Sequence, residues 1–235
     1  MKIGILTLPL HINYGGYLQA FALKSILLEH GNEVYLIENK NLYGNLLKRG
    51  LRQIKDSFSL LLFYLGKKNK EAEFILKEKK ISIFKDNYMC PIVDISNSKT
   101  LNDLDIVIVG SDQVWRPWKG LCRNSLYFFL DFIKSTKTKK ISYAASFGID
   151  KWEYNPVETI QIKKLLQDFS IISVREDDGV SLLQDNLGLP SIRMCDPTLL
   201  LTKNDYLSTL RIHHPDNDRI SSYNTSVNFY RKIKS

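Results

Sequence analysis

Polar side chains follow an apolar run near the middle of the chain, where Gly110 is succeeded by Ser111, Asp112 and Gln113. The run at 106–110 consists of β-branched residues and this glycine, which predicts a buried strand with the polar turn at its carboxyl end. A carboxylate there can act as a general base toward a hydroxyl group, or can orient that hydroxyl as a hydrogen-bond acceptor. Asp112 is therefore the candidate catalytic residue, with Ser111 and Gln113 as candidate ligand contacts. The alternative is that Ser111 or Asp112 caps a following helix.

The first apolar run of the chain ends in a second turn of small and polar residues. Consecutive glycines let backbone N–H groups approach a ligand closely. The positive end of the following helix, predicted over residues 17–30, favours a phosphate or a carboxylate. The spacing differs from the Gly-x-Gly-x-x-Gly pattern of dinucleotide-binding folds, and a plain strand-to-helix turn is the alternative. The candidate ligand contacts here are Asn13, Tyr14, Gly15, Gly16 and Gln19.

Three more candidates follow later predicted strands. Trp115 can stack on the face of a ring-shaped ligand, although core packing is the commoner use of tryptophan. Ser146 lies in a small-residue turn at the end of its strand, on the same sheet edge as Ser111. Arg175 ends another strand, where a guanidinium can hold a phosphate or carboxylate with two hydrogen bonds. An ion pair with Glu176 or Asp177 is the alternative for Arg175.

The hydrophobic pattern alternates between strands and helices, which predicts an α/β protein with a mostly parallel sheet. Residues 44–88 carry no strand signal and predict two helices joined by a Lys-rich stretch, an insertion that covers the sheet or flanks the cleft. The other helices are predicted at 17–30, 160–169 and 177–189, and the strands at 2–8, 33–38, 106–110, 140–146, 170–176 and 190–196.

Composition limits the classes of protein and partner. The chain of 235 residues carries 33 Lys and Arg against 25 Asp and Glu, and this basic balance of +8 favours anionic partners. Cys90, Cys122 and Cys195 are far apart, which argues against a zinc site or disulfide framework and suits the cytoplasm. Neither a metal nor another cofactor is expected. The apolar stretch at 60–65 is far shorter than the ~20 residues that a spanning helix needs, and the amino terminus predicts a buried strand rather than a signal peptide.

The last part of the chain has a different character. Residues 206–235 are polar, rich in Ser and Asn, and show no sustained period. Such a segment buries little apolar surface. We therefore expect one domain over residues 1–205 and a polar tail that is loosely ordered or non-native.

In order along the chain, five segments resemble the successive signatures of the polysaccharide pyruvyl transferase family. They are NYGGYLQAFAL at 13–23, VGSDQVWRP at 109–117, ISYAASFG at 141–148, SVREDDG at 173–179 and DPTLLL at 196–201. The resemblance, over about residues 2–203, implies a Rossmann-like domain equivalent to the N-terminal half of a GT-B-like two-domain enzyme.

The resemblance also implies an activity. The pyruvyl unit of phosphoenolpyruvate would be transferred to two hydroxyls of a sugar or lipid-linked glycan, forming a ketal and releasing phosphate. The first half would serve mainly the acceptor sugar. Peripheral membrane association is left open, and no nucleic acid partner and no cofactor are implied.

The chain departs from the family pattern at two places. Arg116 stands where the family has a small polar residue. The second Rossmann-like half, which would serve phosphoenolpyruvate, is expected to be absent, and Arg211 and His213 resemble its Arg-x-His element only by coincidence. Two alternatives stay open: a glycan-binding remnant without transfer activity, and a nucleotide-sugar glycosyltransferase.

Overall fold

A six-stranded, entirely parallel sheet organises the chain. The computed structural model describes residues 1–8, 14–39, 70–89, 91–117 and 126–210. The strand order in the sheet is β3-β2-β1-β4-β5-β6, and a second, two-stranded parallel sheet pairs β7 with β8. The strands are β1 (Lys2–Leu6), β2 (Glu33–Glu38), β3 (Ile92–Asp94), β4 (Ile106–Gly110), β5 (Lys139–Tyr143), β6 (Phe169–Ile171), β7 (Ser173–Val174) and β8 (Ile192–Arg193).

Helices connect the strands of this sheet. The predicted α/β class is confirmed. The α-helices are α1 (Tyr14–Glu29), α2 (Lys70–Phe84), α3 (Ser98–Asn102), α4 (Pro156–Leu166), α5 (Asp177–Leu187) and α6 (Lys203–Thr209). Shorter helical turns are a π-helix at Lys85–Met89 and 3-10 turns at Tyr127–Phe129 and Pro197–Leu199.

The direction of strand addition reverses between β1 and β4. From β1 the chain builds β2 and β3 on one side, and it later builds β4, β5 and β6 on the other. Ile3 pairs with Ile106 and Leu6 with Val109, so the two strands end at the same level. The carboxyl edge at such a reversal is where open α/β sheets bind ligands.

Helix α1 is held against the insertion by aromatic rings. Tyr17 and Phe21 meet Phe84 with centroids 5.9 and 5.7 Å apart. The buried Lys24 donates from Nζ to the backbone oxygen of Tyr88 at 2.7 Å, in the π-helix that follows α2. The helix predicted for the second part of the insertion is therefore present, while the first part lies outside the described residues.

Local capping explains where helix α4 begins and where helix α5 ends. Asn155 accepts a hydrogen bond from the backbone N–H of Glu158, and the Glu158 side chain accepts one from the backbone N–H of Asn155. With Pro156 at the first turn, this capping box starts α4 four residues before the predicted position. Helix α5 ends at Gly188, whose φ of 65° suits the left-handed cap that glycine adopts without strain.

Four elements differ from the sequence-based prediction. Helix α1 begins at Tyr14, so Gly15 lies inside its first turn rather than before the helix. The strand predicted at 170–176 is divided into β6 and β7, which belong to different sheets. Strand β3 and helix α3 were not predicted, because segments of three and five residues are too short to show a periodicity.

The chain divides into two compact units, Met1–Thr198 and Leu199–Ser235. The described part of the second unit contains α6, which includes residues 206–209 of the predicted tail. Thr202 and Asp205 form a capping box at its start. None of the helices in the described ranges is both long enough and apolar enough to traverse a bilayer.

Substitution of Gly110 tests the close approach of β4 and β5. At Gly110, with φ of 153°, an added Cβ would lie 2.0 Å from the backbone oxygen of Tyr143. We expect Gly110→Ala to lower the free energy of unfolding by at least about 3 kcal/mol, because backbone atoms must move. Gly31→Ala is the matched control: its φ is 74° but no atom lies within 4 Å of the added Cβ, so a loss of only about 1 kcal/mol is expected. Equal losses in urea unfolding would contradict this.

Candidate functional site at the reversal of the sheet

The carboxyl ends of β1 and β4 carry buried polar residues. Thr7 follows β1 and is 6% exposed, and Ser111 follows β4 and is 1% exposed. Around Ser111 lie charged side chains from the turns after β4, β7 and β8. We call Asp112, Arg175, Glu176 and Asp196 the carboxylate–arginine cluster.

Arg175 lies between two carboxylates of this cluster. Its Nε donates to Glu176 Oε1 at 2.7 Å, and its Nη1 donates to Asp196 Oδ2 at 3.3 Å. Burial lowers the pKa of Arg175, but Glu176 and Asp196 outweigh burial, so its pKa is raised above the ordinary value. The ion pair with Glu176, which was the alternative for Arg175, is therefore present.

Asp196 is saturated by the protein. Its Oδ2 accepts from Ser111 Oγ at 3.0 Å as well as from Arg175. Its Oδ1 accepts from the backbone nitrogen and the hydroxyl of Thr198 at 3.0 and 2.8 Å. Asp196 therefore ties the turn after β4 to the turn after β8.

Ser146 makes a similar tie from the turn after β5. Its Oγ donates to Glu176 Oε1 at 3.0 Å and accepts from Gly148 N at 2.9 Å. Its backbone N–H donates to Asp112 O at 3.1 Å, and its carbonyl accepts from Trp115 N at 3.1 Å. Ser146 is fully buried, so its hydroxyl positions Glu176 within the protein.

Asp112 is half-buried beside the Arg175 ion pairs. Its Oδ1 accepts from the backbone nitrogen of Gln113 at 2.8 Å. Burial raises the pKa of Asp112, and Asp196 raises it further, while the Gln113 N–H and Arg175 oppose the shift. Residues 111–117 form turns rather than a helix, so the described structure does not support the helix-capping alternative for Ser111 or Asp112.

Gln19 connects α1 to the end of β1. Its Nε2 donates to Thr7 Oγ1 and to Gly16 O, both at 2.9 Å. Because the carbonyl of Gly16 can only accept, it fixes which end of the amide is the nitrogen. Oε1 is then buried without a hydrogen-bond partner among the described residues, and Gln19 as a whole is 2% exposed. Gln19 therefore links Thr7, the residue after β1, to the first turn of α1.

The other candidates at the start of α1 are placed differently. Tyr14 is 52% exposed and Gly15 is exposed in the first helical turn, whereas Gly16 is buried. Asn13 lies outside the described residues. Exposure of Tyr14 and Gly15 leaves both available for contact with a ligand.

Trp115 and Gln113 are used for packing. Trp115 is 0% exposed, its ring stacks on Phe129 with centroids 5.5 Å apart, and its Nε1 donates to Phe128 O at 3.1 Å. The core-packing alternative for Trp115 is therefore favoured over stacking on a ligand. A Cβ added at Gly148 would lie 2.6 Å from Gln113 Cδ, so this side chain covers the turn after β5.

Two members of the cluster were not candidates from sequence. Glu176 was considered only as an ion-pair partner, and Asp196 only as part of the segment at 196–201 that resembles the family. Both follow short strands of the second sheet, and that position at a strand end was the available signal. Arg116, the departure from the family pattern, has its Nε 3.7 Å from Glu153 Oε2.

The described residues contain no group of metal ligands, and an ion pair occupies the position where nucleotide-binding folds bind a ribose. Within the described ranges no three His, Cys, Asp or Glu residues are grouped as ligands for a metal ion. Glu38 ends β2, where dinucleotide-binding folds place the acidic residue that binds a ribose. Here Glu38 forms an ion pair with Lys85, with 11% and 23% of the two side chains exposed. That internal pair occupies the ribose-binding position.

The fold and these strand-end turns define a Rossmann-like α/β protein with a polar site at the sheet reversal. A family model of polysaccharide pyruvyl transferases matches residues 13–232, and the chain belongs to this enzyme family. Searches of curated proteins and of solved structures gave no significant match. The matched range contains the whole carboxylate–arginine cluster and extends beyond the last described residue.

The raised pKa of Asp112 has a consequence for stability. A carboxyl group whose pKa is raised by folding adds stability below its unfolded pKa, and loses that contribution as the pH rises through the folded pKa. Asp112→Asn keeps an Oδ1 acceptor for the Gln113 N–H. We expect the change that this substitution makes in the free energy of unfolding to be more favourable at pH 7 than at pH 4. Urea unfolding at both pH values measures the difference. Asp150→Asn, at an exposed position, gives the background, and an equal effect of Asp112→Asn at both pH values would contradict the expectation.

Proposed function

We propose that this chain binds a sugar acceptor at the carboxylate–arginine cluster and takes part in transferring the pyruvyl group of phosphoenolpyruvate to two of its hydroxyls. The observation that carries the proposal is the half-buried Asp112 beside an Arg175 whose charge is already offset. Family membership supplies the reaction class. The cluster supplies the reason for assigning the acceptor to this edge.

Charge balance favours a hydroxyl-bearing ligand over an anion at this position. The cluster holds three carboxyl groups and one guanidinium, and the guanidinium is paired with Glu176 and Asp196. Phosphoenolpyruvate carries a phosphate and a carboxylate, so direct contact with the cluster would place like charges together. A sugar hydroxyl instead donates a hydrogen bond to a carboxylate. We therefore place the acceptor here and the donor phosphate against other residues, a change from the expectation that Arg175 neutralises the ligand.

The reaction requires two hydroxyl oxygens to bond to the central carbon of the pyruvyl group. The bond from that carbon to the phosphate oxygen breaks. Of the two protons released by the hydroxyls, one converts the methylene carbon to a methyl group and the other is carried away by phosphate or solvent. We assign the first proton acceptance to Asp112, since a raised pKa brings a carboxylate closer to the working pH of a general base.

Residues of the β1 side complete the proposed acceptor site. Tyr14 and Gly15 are exposed in the first turn of α1, where backbone N–H groups lack partners within the helix. Asn13, just before α1, joins them in the proposal, and the hydrogen bonds of Gln19 to Thr7 and Gly16 hold the first turn of α1 beside the end of β1. Ser111, Gln113 and Ser146 have the corresponding supporting role on the β4 and β5 side.

The partners follow from the same chemistry. The acceptor is a sugar or a lipid-linked glycan precursor of a cell-surface polysaccharide, and the lipid-linked form would bring the protein to a membrane surface. We place the reaction in the cytoplasm, and we propose no cofactor and no nucleic acid partner. A glycan-binding module without transfer activity is the second candidate, because the described cluster offers no unpaired guanidinium for a donor phosphate.

Calorimetry and a transfer assay on the full chain separate the two candidates. The ligands are phosphoenolpyruvate and the methyl glycosides of glucose, galactose, mannose and their 2-acetamido forms. Micromolar binding of phosphoenolpyruvate, corresponding to about −8 kcal/mol, together with phosphate release, would support the transferase. Sugar binding without binding of phosphoenolpyruvate would support the binding module, and no binding of any ligand would contradict both.

Asp112→Asn tests the assigned proton acceptor. In a transfer-competent preparation we expect kcat to fall by at least about 100-fold, because a positioned general base contributes about 10²–10⁴-fold. The KM for the acceptor should change little, since asparagine keeps the shape and one acceptor oxygen. Asp150→Asn is the exposed control. An Asp112→Asn rate equal to that of the control would remove Asp112 from the mechanism.

A further inference from the structure

The backbone ladder between β5 and β6 stops at the pair Ile141 and Ile171. Beyond that point the chain leaves β6 and enters β7, which pairs with β8 and also forms one parallel bridge, from Val174 to Ala145, just past the end of β5. Ser142 of β5 and Ser173 of β7 face each other across the gap, and they are 0% and 2% exposed. Two buried hydroxyls therefore stand where backbone pairing is interrupted.

The hydroxyls of the two serines are hydrogen-bonded to each other's backbone and, in the case of Ser173, also to Ala144. Ser142 Oγ donates to Ser173 O at 3.0 Å and accepts from Ser173 N at 2.8 Å. Ser173 Oγ donates to Ser142 O at 2.7 Å and accepts from the backbone nitrogen of Ala144 at 3.0 Å. Each hydroxyl donates one hydrogen bond and accepts one. These side-chain bonds take the place of the backbone hydrogen bonds that are missing between β5 and β7.

The bond to Ala144 fixes an unusual backbone conformation. Ala144 has φ of 48°, in the left-handed region that residues with a Cβ rarely adopt. It is fully buried, and its N–H donates to the side-chain oxygen of Ser173 rather than to a backbone carbonyl. The hydroxyl of Ser173 therefore stabilises the bend that takes the chain out of β5.

Both sides of this bend lead directly to the proposed site. On one side, Ala145 N donates to Ser173 O at 3.1 Å, and the next residue, Ser146, holds Asp112 O and Glu176. On the other side, Arg175 N donates to Ala145 O at 3.0 Å. The position of Ser173 thus sets the separation between the turn that holds Asp112 and the backbone that carries Arg175.

We propose that Ser173 is a positioning residue of the acceptor site, acting through the left-handed Ala144 and through Arg175 to hold the carboxylate–arginine cluster in register. Ser142 is its partner in this role. The link to catalysis rests on the proposed function, whereas the geometric effect does not.

The test uses the side-chain N–H resonance of Arg175, which reports its bond to Glu176 Oε1 directly. The 15N–1H spectrum of the full chain is recorded, and Arg175→Lys assigns the Nε–H signal. We expect Ser173→Ala to shift or broaden this signal. Thr138→Val is the matched control, because Thr138 is also a buried hydroxyl, 5% exposed, that donates to a backbone oxygen, Leu104 O at 2.9 Å, before β5 begins.

A second substitution separates positioning from a general loss of stability. Glycine adopts a positive φ without strain, so Ala144→Gly should restore much of the Arg175 signal when it is added to Ser173→Ala. If Ser173→Ala does not fold, the double variant is measured instead and is expected to fold with the signal present. The proposal is overturned if the Arg175 signal is unchanged in both Ser173→Ala and Thr138→Val. It is also overturned if Ala144→Gly does not restore the signal that Ser173→Ala has changed.

The catalytic link is measured separately. In a transfer-competent preparation, Ser173→Ala should lower kcat by about 100-fold, the cost of displacing reacting groups by about 1 Å, while Thr138→Val should not. If the Arg175 signal is displaced while sugar binding and turnover are unchanged, Ser173 positions the cluster, but the cluster is not the acceptor site. An undisturbed signal would reject the positioning role and leave the proposed function standing.

Discussion

The pairing of one guanidinium with two carboxylates is the constraint on which this edge of the protein depends. Arg175 binds Glu176 and Asp196, and Ser146 and Ser111 bind the same two carboxylates from the turns after β5 and β4. Four separate strand ends therefore meet in one network. Removing the guanidinium would leave partly buried carboxyl groups side by side without a counter-charge, which is among the more costly changes available to a folded protein. The sheet brings the strand ends together, but the ion pairs hold their turns in place.

The same network limits what a ligand can offer. A chain with a net charge of +8 has, at this edge, more carboxyl groups than cations among the described residues. The overall charge favours anionic partners, whereas the acceptor site that we propose at the cluster favours hydrogen-bond donors. Whole-chain charge describes long-range attraction. A binding site is governed by the few groups that are partly removed from water, such as Asp112 and Arg175.

The sequence predicted the parallel sheet and the edge where polar residues collect. The apolar runs of β1 and β4 indicated strands covered on both faces, and Asp112 follows one of them directly. Other features depend on tertiary contacts that no local pattern encodes. The sequence around Trp115 does not show whether its ring packs in the core or faces a ligand. Its stacking on Phe129, a tertiary contact, places the ring in the core. The strand predicted at 170–176 is divided at Ser173, which pairs with Ile192 of the second sheet while its backbone N–H donates to the Ser142 hydroxyl of the first.

The wide spacing of the paired strands determines when the site can exist during folding. Lys2 and Asp105, joined by a hydrogen bond, are 103 positions apart, so β1 must wait for β4 before the crevice between them forms. Pairing segments this far apart requires closing a long loop, which has an entropic cost. The complete set of ion pairs cannot form before Asp196 has been synthesised, because Asp196 is the last residue of the cluster along the chain. A nascent chain therefore carries Asp112 without its electrostatic surroundings until nearly the whole first unit has been synthesised.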